Sequence, residues 1–299
     1  MMTLDQLRIF VAVAEFEHVT RAAERLGLTQ SATSAAIAAL ERQYATPLFH
    51  RVGRRIQLTE AGRIFLAEAK VVVARAVGAE LILQELSEMR RGTLVVQASQ
   101  TIASYWLPRH LVRFRQLYPM IQIRLGIDNT AQVAKAVLDG VVDLGFIEGD
   151  VDDAALTHET IAHDRLALVV GAAHPWAGRS RVDPCEFATT TWVLREPGSG
   201  TRSTFEATLA GFGIRAEALN IAIELPSNEA VRMAVEAGIG ATAISELVVA
   251  DGIERGVLHR IEFDVPERPF QTLRHRERYL SRASTALLEL IRESKRGPH

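Results

Sequence analysis

The stretch TQSATSAAIAALE, residues 29–41, carries no aromatic side chain and one charge, Glu41, at its far end. Thr29 is placed to N-cap a helix. Thr33, Ile37 and Leu40 recur at i, i+4 and i+7 and form an inward stripe. Gln30, Ser31, Ser34, Ala35 and Ala38 then face outward. A face this bare suits entry into a major groove about 12 Å wide. Gln can pair bidentately with adenine, Ser and Thr can serve bases or phosphates, and the helix N-terminus suits a phosphate. Taken alone, the stretch reads equally well as a surface helix with a small-residue packing face.

The flanks decide between these readings. Upstream, Leu4, Leu7, Val11 and Ala14 share a helical face, with Ile9, Phe10 and Val13 beside it. Thr20 is placed to cap a second helix, RAAERLG (21–27), which Gly27 stops. Helix, glycine turn and helix make the helix-turn-helix pattern. Downstream, RQYATPLFHRVGRRIQLT (42–59) contains Arg42, Arg51, Arg54 and Arg55 and no acid. LFHRV and RIQLT alternate around Gly53 and Arg54 and predict a two-stranded wing. Arginines there can hold phosphates or enter the minor groove. The candidate DNA contacts are Thr20, Arg21, Thr29, Gln30, Ser31, Ser34, Arg51, Arg54 and Arg55. The whole segment from Leu7 to Gly62 resembles the winged helix-turn-helix of LysR-type transcriptional regulators. Many members have Pro where this chain has Ser31 and Arg where it has Ala35, so the operator sequences of relatives do not carry over.

Thr59 is placed to cap a long helix reaching to about Met89, roughly 45 Å at 1.5 Å per residue. Phe65, Ala69, Val72, Ala76, Ala79, Leu83 and Leu86 form an apolar heptad seam. The seam either lies on its own domain's core or pairs with a second chain. Pairing is favoured, because such DNA readers use two half-sites about 34 Å apart. Gly78 inside the helix marks flexibility or close packing. RRGTL (90–94) then reads as a hinge. The resemblance implies the same: this is the position of the family's linker helix, through which protomers dimerise. The expected divisions are 1–58 for the DNA-binding domain, 59–89 for the linker helix, 90–93 for the hinge and 94–299 for the rest.

From Thr93 strands and helices alternate, which predicts an α/β domain with largely parallel sheets. One junction recurs four times: a strand, small polar residues, then a helix. The instances are LVVQASQTIA (94–103), IRLGIDNTAQVAKAV (123–137), WVLREPGSGTRSTFEATL (192–209) and IAIELPSNEAVRMAV (221–235). Ligands of open α/β sheets bind beyond the carboxyl ends of strands, where helix N-termini favour an anion. The candidate ligand contacts are Ser99, Gln100, Thr101, Asn129, Thr130, Glu148, Glu196, Ser199, Gly200, Thr201, Arg202, Ser227 and Asn228. Any one junction reads as an ordinary cap; four in one chain favour a cleft. Glu148 and Glu196 oppose an anion unless they pair with Arg195 or Arg202 or bind a ligand's amine. The chain crosses between two subdomains at LALVVGAAHP (166–175) and FQTLRHRERYLS (270–281), which gives lobe I about 94–164 with 269–299 and lobe II about 165–268. The resemblance implies a two-lobed fold like periplasmic binding proteins. SQTIASYWLP, LREPGSGTR and LPSNEAVRMAVEAGIG further resemble the family's subgroup for sulfur and nitrogen assimilation, which implies a small anion such as sulfite or sulfate as effector.

Composition narrows the alternatives. The net charge of −2 gives no global basic field, so any nucleic-acid site must be local. The single cysteine, Cys185, rules out an internal disulfide and a Cys-based metal cluster, and reads as a small buried hydrophobe. The start, MMTLDQLRIF, has no leader pattern and LALVVGAA (166–173) is too short to span a bilayer, so the chain reads as cytoplasmic. GFGIRA (211–216) fits a dinucleotide fingerprint but follows a helix, and no nucleophile elbow, P-loop or zinc-protease motif occurs. His158 and His163 read as solvated, and RHRERYLSR (274–282) as a solvated strand edge. No enzyme, cofactor or metal is expected. The reading is a DNA-binding regulator that binds double-stranded operator DNA and a small effector, and self-associates as a homodimer, with a homotetramer favoured. The alternative is a solute-binding protein or small-molecule enzyme with an unrelated helical domain.

Overall fold

The computed structural model describes residues 2–52, 55–86 and 92–295, with the backbone alone at 51, 52, 55, 81–86 and 295. The chain forms two compact units. The N-terminal unit packs α1 (Leu4–Phe16), α2 (Val19–Leu26) and α3 (Gln30–Tyr44), then an antiparallel wing of β1 (Phe49–Val52) and β2 (Arg55–Leu58), then α4 (Glu60–Leu86). Leu7, Phe10, Val13, Ala22, Ile37, Leu40 and Leu48 fill its core. Thr33 is buried with them because its hydroxyl donates to the Thr29 carbonyl at 3.1 Å, which satisfies its only polar group. Glu41 closes the unit. Its carboxylate accepts from the N–H groups of Leu48 and Phe49 at 2.7 and 3.0 Å, so α3 holds the entry to the wing. Thr20 does not cap α2. The His18 ring takes that role from one residue before the helix, and Thr20 sits exposed in the first turn.

In α4 the expected seam divides. At 100° per residue Phe65 and Ala69 point with Leu66 and Val73 at α1, and they join this unit's own core. The Phe65 ring lies 4.9 Å from Phe10, and Ala69 is sealed from solvent. Val72 and Ala79 are exposed and Ala76 is half-buried; the side chains of Leu83 and Leu86 fall outside the described residues. A second apolar row, Ile64, Ala67, Val71, Ala74 and Gly78, also advances in steps of three and four and faces away from that core.

The C-terminal unit has two lobes, each built on a five-stranded sheet. In chain order it runs β3 (Gly92–Ser99), a π-helical turn (Ile102–Trp106), α5 (Pro108–Leu117), β4 (Ile121–Asp128), α6 (Thr130–Asp139), β5 (Leu144–Glu148), β6 (Leu156–Asp164) and β7 (Leu166–Gly171). There follow β8 (Thr191–Arg195), α7 (Gly200–Gly211), β9 (Asn220–Leu225), α8 (Asn228–Glu236), β10 (Ala241–Ser245), α9 (Glu246–Glu254), β11 (Leu258–Ile261), β12 (Arg268–His275) and α10 (Arg282–Lys295). Lobe I has the strand order β4-β3-β5-β12-β6 and lobe II β11-β7-β10-β8-β9. β5 is buried along its whole length, which is why Leu144–Ile147 reads as an unbroken small and apolar run.

The sheets are mixed rather than largely parallel: among the described residues four strand pairings are parallel and four antiparallel. The antiparallel ones are those made by β7 and β12, the strands on which the chain arrives in lobe II and returns to lobe I. A strand entered directly from the other lobe has no crossover helix to reverse it. Two further expectations fail. Cys185 is exposed, second in a short helix that Asp183 caps, and hydrogen bonding to that carboxylate pushes its thiol up. The segment 274–282 does not line a strand edge, because β12 lies between β5 and β6. Arg278 turns inward and donates to the carbonyls of Val137 and Leu138 at 2.6 and 2.7 Å, which occupies the open end of α6. LVVQASQTIA runs from a strand into a helix as expected, and that helix is a π-helical turn.

Candidate functional site

The outward face of α3 is as spare as its sequence. Gln30, Ser31, Ser34 and Ala35 are exposed, with Thr20 and Arg21 of α2 also exposed. Thr29 caps α3 by accepting from the Ala32 N–H at 3.2 Å, and its hydroxyl also meets that of Ser31 at 3.1 Å. Of the wing arginines, the β1 and β2 backbones place Arg51 opposite Ile56 and Arg55 opposite Val52. The side chains of Arg51 and Arg55, and all of Arg54, fall outside the described residues.

In the C-terminal unit most of the expected ligand residues converge between the lobes, where they bond chiefly to one another. From lobe I, the Ser99 hydroxyl donates to the Glu148 carboxylate and the Thr130 hydroxyl donates to the Glu148 carbonyl at 2.8 Å. Gln100 accepts from the Asn228 N–H at 2.6 Å and donates to Glu229 at 3.1 Å. Thr101 accepts from the Asn228 amide at 3.0 Å. Asn129 donates to Glu196 at 3.2 Å, and the Ala131 N–H donates to the Gly198 carbonyl at 3.1 Å. The bonds of Gln100, Thr101, Asn129 and Ala131 all run from lobe I to lobe II, so the lobes are closed.

Caps distinguish the three helices that begin here. Asn129 caps α6 through the Gln132 N–H, and Ser227 caps α8 through the Ala230 N–H. No side chain caps α7. Ser199 stands at its N-cap position, but the hydroxyl is buried with no hydrogen-bond partner. A buried hydroxyl without a partner costs about 1–3 kcal/mol. Gly200 follows because nothing larger fits: a Cβ there would lie 2.0 Å from the Glu148 carbonyl oxygen. Gly198 has φ +89°, a conformation that glycine adopts without strain.

The charges of the cleft are compensated internally. Arg195 forks onto Glu196 at 2.8 and 2.9 Å and also holds Asn228. Arg202 does not enter the cleft. Its guanidinium bonds Glu206, Glu224 and the Arg195 carbonyl, and burial partly offsets the upward pull of those two carboxylates on its pKa. Ser99 and Thr101 cap nothing; the Ser99 hydroxyl serves Glu148 within lobe I and the Thr101 hydroxyl serves Asn228 across the lobes.

Sequence reading missed the deepest part of this network. Arg268, the first residue of β12, sits opposite Asp164, the last of β6, where the chain passes between lobes. Its guanidinium donates to the Asp164 carboxylate at 2.6 and 2.9 Å and to the Thr201 hydroxyl at 3.1 Å, and lies 4.0 Å from Glu148. Ser245 donates to the other Asp164 oxygen at 2.8 Å. Tyr105 was missed too: its hydroxyl donates to Glu229 at 3.0 Å, and burial followed by that carboxylate pushes its pKa up to about 12. The available signal was position: Asp164 and Arg268 each sit beside an opposite charge, Arg165 and Glu267, at the two interlobe passages.

Comparison with known proteins matches both units to one family. Residues 4–63 match the bacterial regulatory helix-turn-helix protein, lysR family, and residues 87–296 match the LysR substrate binding domain. The chain is 35% identical over 290 residues, 96% of each chain, to an uncharacterized HTH-type transcriptional regulator, YeiE, of Escherichia coli K12. Its fold is similar to full-length OxyR from Pseudomonas aeruginosa, with a TM-score of 0.70 and 23% identity over 99% of this chain and 95% of that one. It is also similar to full-length CbnR in complex with its target DNA, with a TM-score of 0.69 and 22% identity over 98% and 100% of the two chains. No described helix is long and apolar enough to cross a membrane. Because one family spans both units, a solute-binding protein or enzyme with an unrelated helical domain is not favoured. The chain belongs to the LysR family of transcriptional regulators: it is a DNA-binding regulator with an effector-binding domain, and not an enzyme.

Proposed function

We propose that the chain reads its operator with Gln30, Ser31 and Ser34 of α3, positions itself through Arg21 and the wing residues Arg51, Arg54 and Arg55, and does so as an oligomer whose effector is a small oxyanion such as sulfite or sulfate. The observation carrying the DNA part is the exposed, short, uncharged face of α3, backed by a buried Thr33–Ile37–Leu40 stripe. Such a face offers few base-reading groups, so much of the affinity comes from phosphate contacts and from two copies on one DNA. Gln30→Ala is expected to cost about 1–3 kcal/mol and relax specificity, and Arg54→Ala to weaken all sequences alike while lowering the salt slope by about 1. Binding to the chain's own upstream DNA across a salt series checks both; unaltered affinity in the two variants would falsify the assignment.

For the effector, the carrying observation is the uncapped start of α7 with the orphaned Ser199 hydroxyl beside it. The carboxylates that oppose an anion are already answered, Glu196 by Arg195 and Glu148 by Ser99 and Arg268. What remains is a hydroxyl and the N–H groups of a helix end, which hold an oxyanion by hydrogen bonds and dipole. This agrees with the sequence likeness to the sulfur and nitrogen subgroup. Sulfite or sulfate should raise the melting temperature, and Ser199→Ala or Thr101→Ala should shrink that rise. A rise produced only by amines or organic acids would overturn the oxyanion.

Two faces support self-association. On α4 the row Ile64, Ala67, Val71, Ala74 and Gly78 takes over from the expected seam, and its small members let a second copy's helix approach closely. On the C-terminal unit, β4 is an edge strand, and Val112, Leu117, Met120 and Ile127 on it and on the adjoining α5 and loop are more than half exposed. Two separate self-faces permit a homotetramer as well as a homodimer.

A further inference from the structure

We propose that the cavity between α5 and α10 is a second ligand site in lobe I, built for a small monocarboxylate with an apolar body. The cavity is open to solvent on one side, holds about 370 Å³ and is lined by Trp106, Arg109, His110, Arg113, Ile291 and Ser294. That lies within the lower range of small-molecule pockets, about 300–1,000 Å³. It shares no residue with the cleft between the lobes.

The charge of Arg109 decides the ligand. Its guanidinium carbon lies 5.7 Å from the centre of the Trp106 ring, and its Nε donates to His110 Nε2 at 3.3 Å. Both contacts fix the guanidinium in place and neither carries a negative charge. No acid among the described residues pairs with it; the nearby Glu293 pairs instead with Arg113, at 3.8 Å.

His110 supplies no charge of its own. It is buried, and burial followed by the fields of Arg109 and Arg113 pushes its pKa down to about 4, so the ring is neutral near pH 7. Its other nitrogen meets the Ser294 hydroxyl at 3.3 Å, and that hydroxyl is also within 2.8 Å of the Leu290 carbonyl. The polar wall therefore offers the terminal guanidinium donors of Arg109, beside an Arg113 that faces Glu293 at 3.8 Å. Trp106 and Ile291 supply apolar wall.

One uncompensated guanidinium fork beside an apolar wall fits a carboxylate carried on an apolar body. A dianion would bring a second charge, and Arg113, the other guanidinium of the lining, already faces Glu293 at 3.8 Å. Occupancy also has a route to the lobes. Trp106 ends the π-helix whose Tyr105 reaches across to Glu229.

Isothermal titration of the full-length protein with phenylacetate tests this, with acetate and phenylacetamide as probes lacking the ring or the charge. Phenylacetate should bind more tightly than acetate, which leaves the apolar wall uncovered, and about tenfold or more tightly than phenylacetamide, since a charge-assisted pair contributes roughly 1.5–3 kcal/mol. Arg109→Met, at an exposed position, should lose that advantage, Arg109→Lys should retain part of it, and Ser199→Ala in the cleft should leave it intact. Equal binding of acetate, unchanged binding in Arg109→Met, absence of phenylacetate binding, or its loss in Ser199→Ala would each overturn the site.

Discussion

Removing Arg268 would strand Asp164 and Glu148 between the lobes without their shared cation. Breaking one side of a buried pair costs about 3–5 kcal/mol, because the remaining charge stays buried and unpaired. Arg268→Met is therefore expected to lower the unfolding midpoint of the C-terminal unit strongly, with Arg268→Lys recovering only part. A Lys ammonium cannot reproduce a fork that spans Asp164 and Thr201 at once. Thermal unfolding followed by circular dichroism checks the order of the three proteins. The same residue marks the limit of what the chain's text reveals. Ser99, Thr101, Asn129, Ser227 and Asn228 were legible because small polar residues between a strand and a helix announce themselves by pattern. Arg268 and Asp164 lie 104 positions apart, and no local rule joins them. Ser199 was legible as a cap candidate, but its orphaned hydroxyl was not, because lacking a partner is a property of three-dimensional surroundings.

At the scale of elements, α3 and α4 show opposite degrees of legibility. The buried stripe and outward face of α3 follow from helical period alone, since three apolar or satisfied positions can bury on only one side. In α4 two apolar rows share one helix, and period cannot say which row meets the helix's own domain. Packing decides it: Phe65 stacks near Phe10, so the row headed by Ile64 is left facing solvent. Ion pairs reinforce the choice, with Lys70 meeting Glu15 at 2.9 Å and Arg8 meeting Glu80 at 3.3 Å. Val71→Glu places a charge in the exposed row without touching the core. It is expected to shift the assembly toward monomers in sedimentation while leaving the far-ultraviolet spectrum unchanged, and to weaken operator binding through loss of the paired copy. The mixed sheets belong to this scale as well. Alternation of strand and helix predicts parallel neighbours, but it is blind to strands that cross between lobes.

For the whole molecule, the closed lobes set the terms of regulation. An effector changes DNA binding only to the extent that it favours one arrangement of the lobes over another. Here the cross-lobe bonds of Gln100, Thr101, Asn129 and Tyr105 already favour closure. A ligand entering the cleft must find it open, so its apparent affinity is reduced by the fraction of molecules open at any moment. Gly200 sets the clearance of that movement. Its missing side chain is the gap that lets α7 seat against the Glu148 carbonyl. A single methyl group in that gap acts as a doorstop: in Gly200→Ala the lobes are held ajar. The expected phenotype is a regulator that still occupies its operator but no longer answers its effector, seen as operator affinity identical with and without the proposed effector, sulfite. One methyl group at the pivot thus separates a responsive switch from a constitutive one.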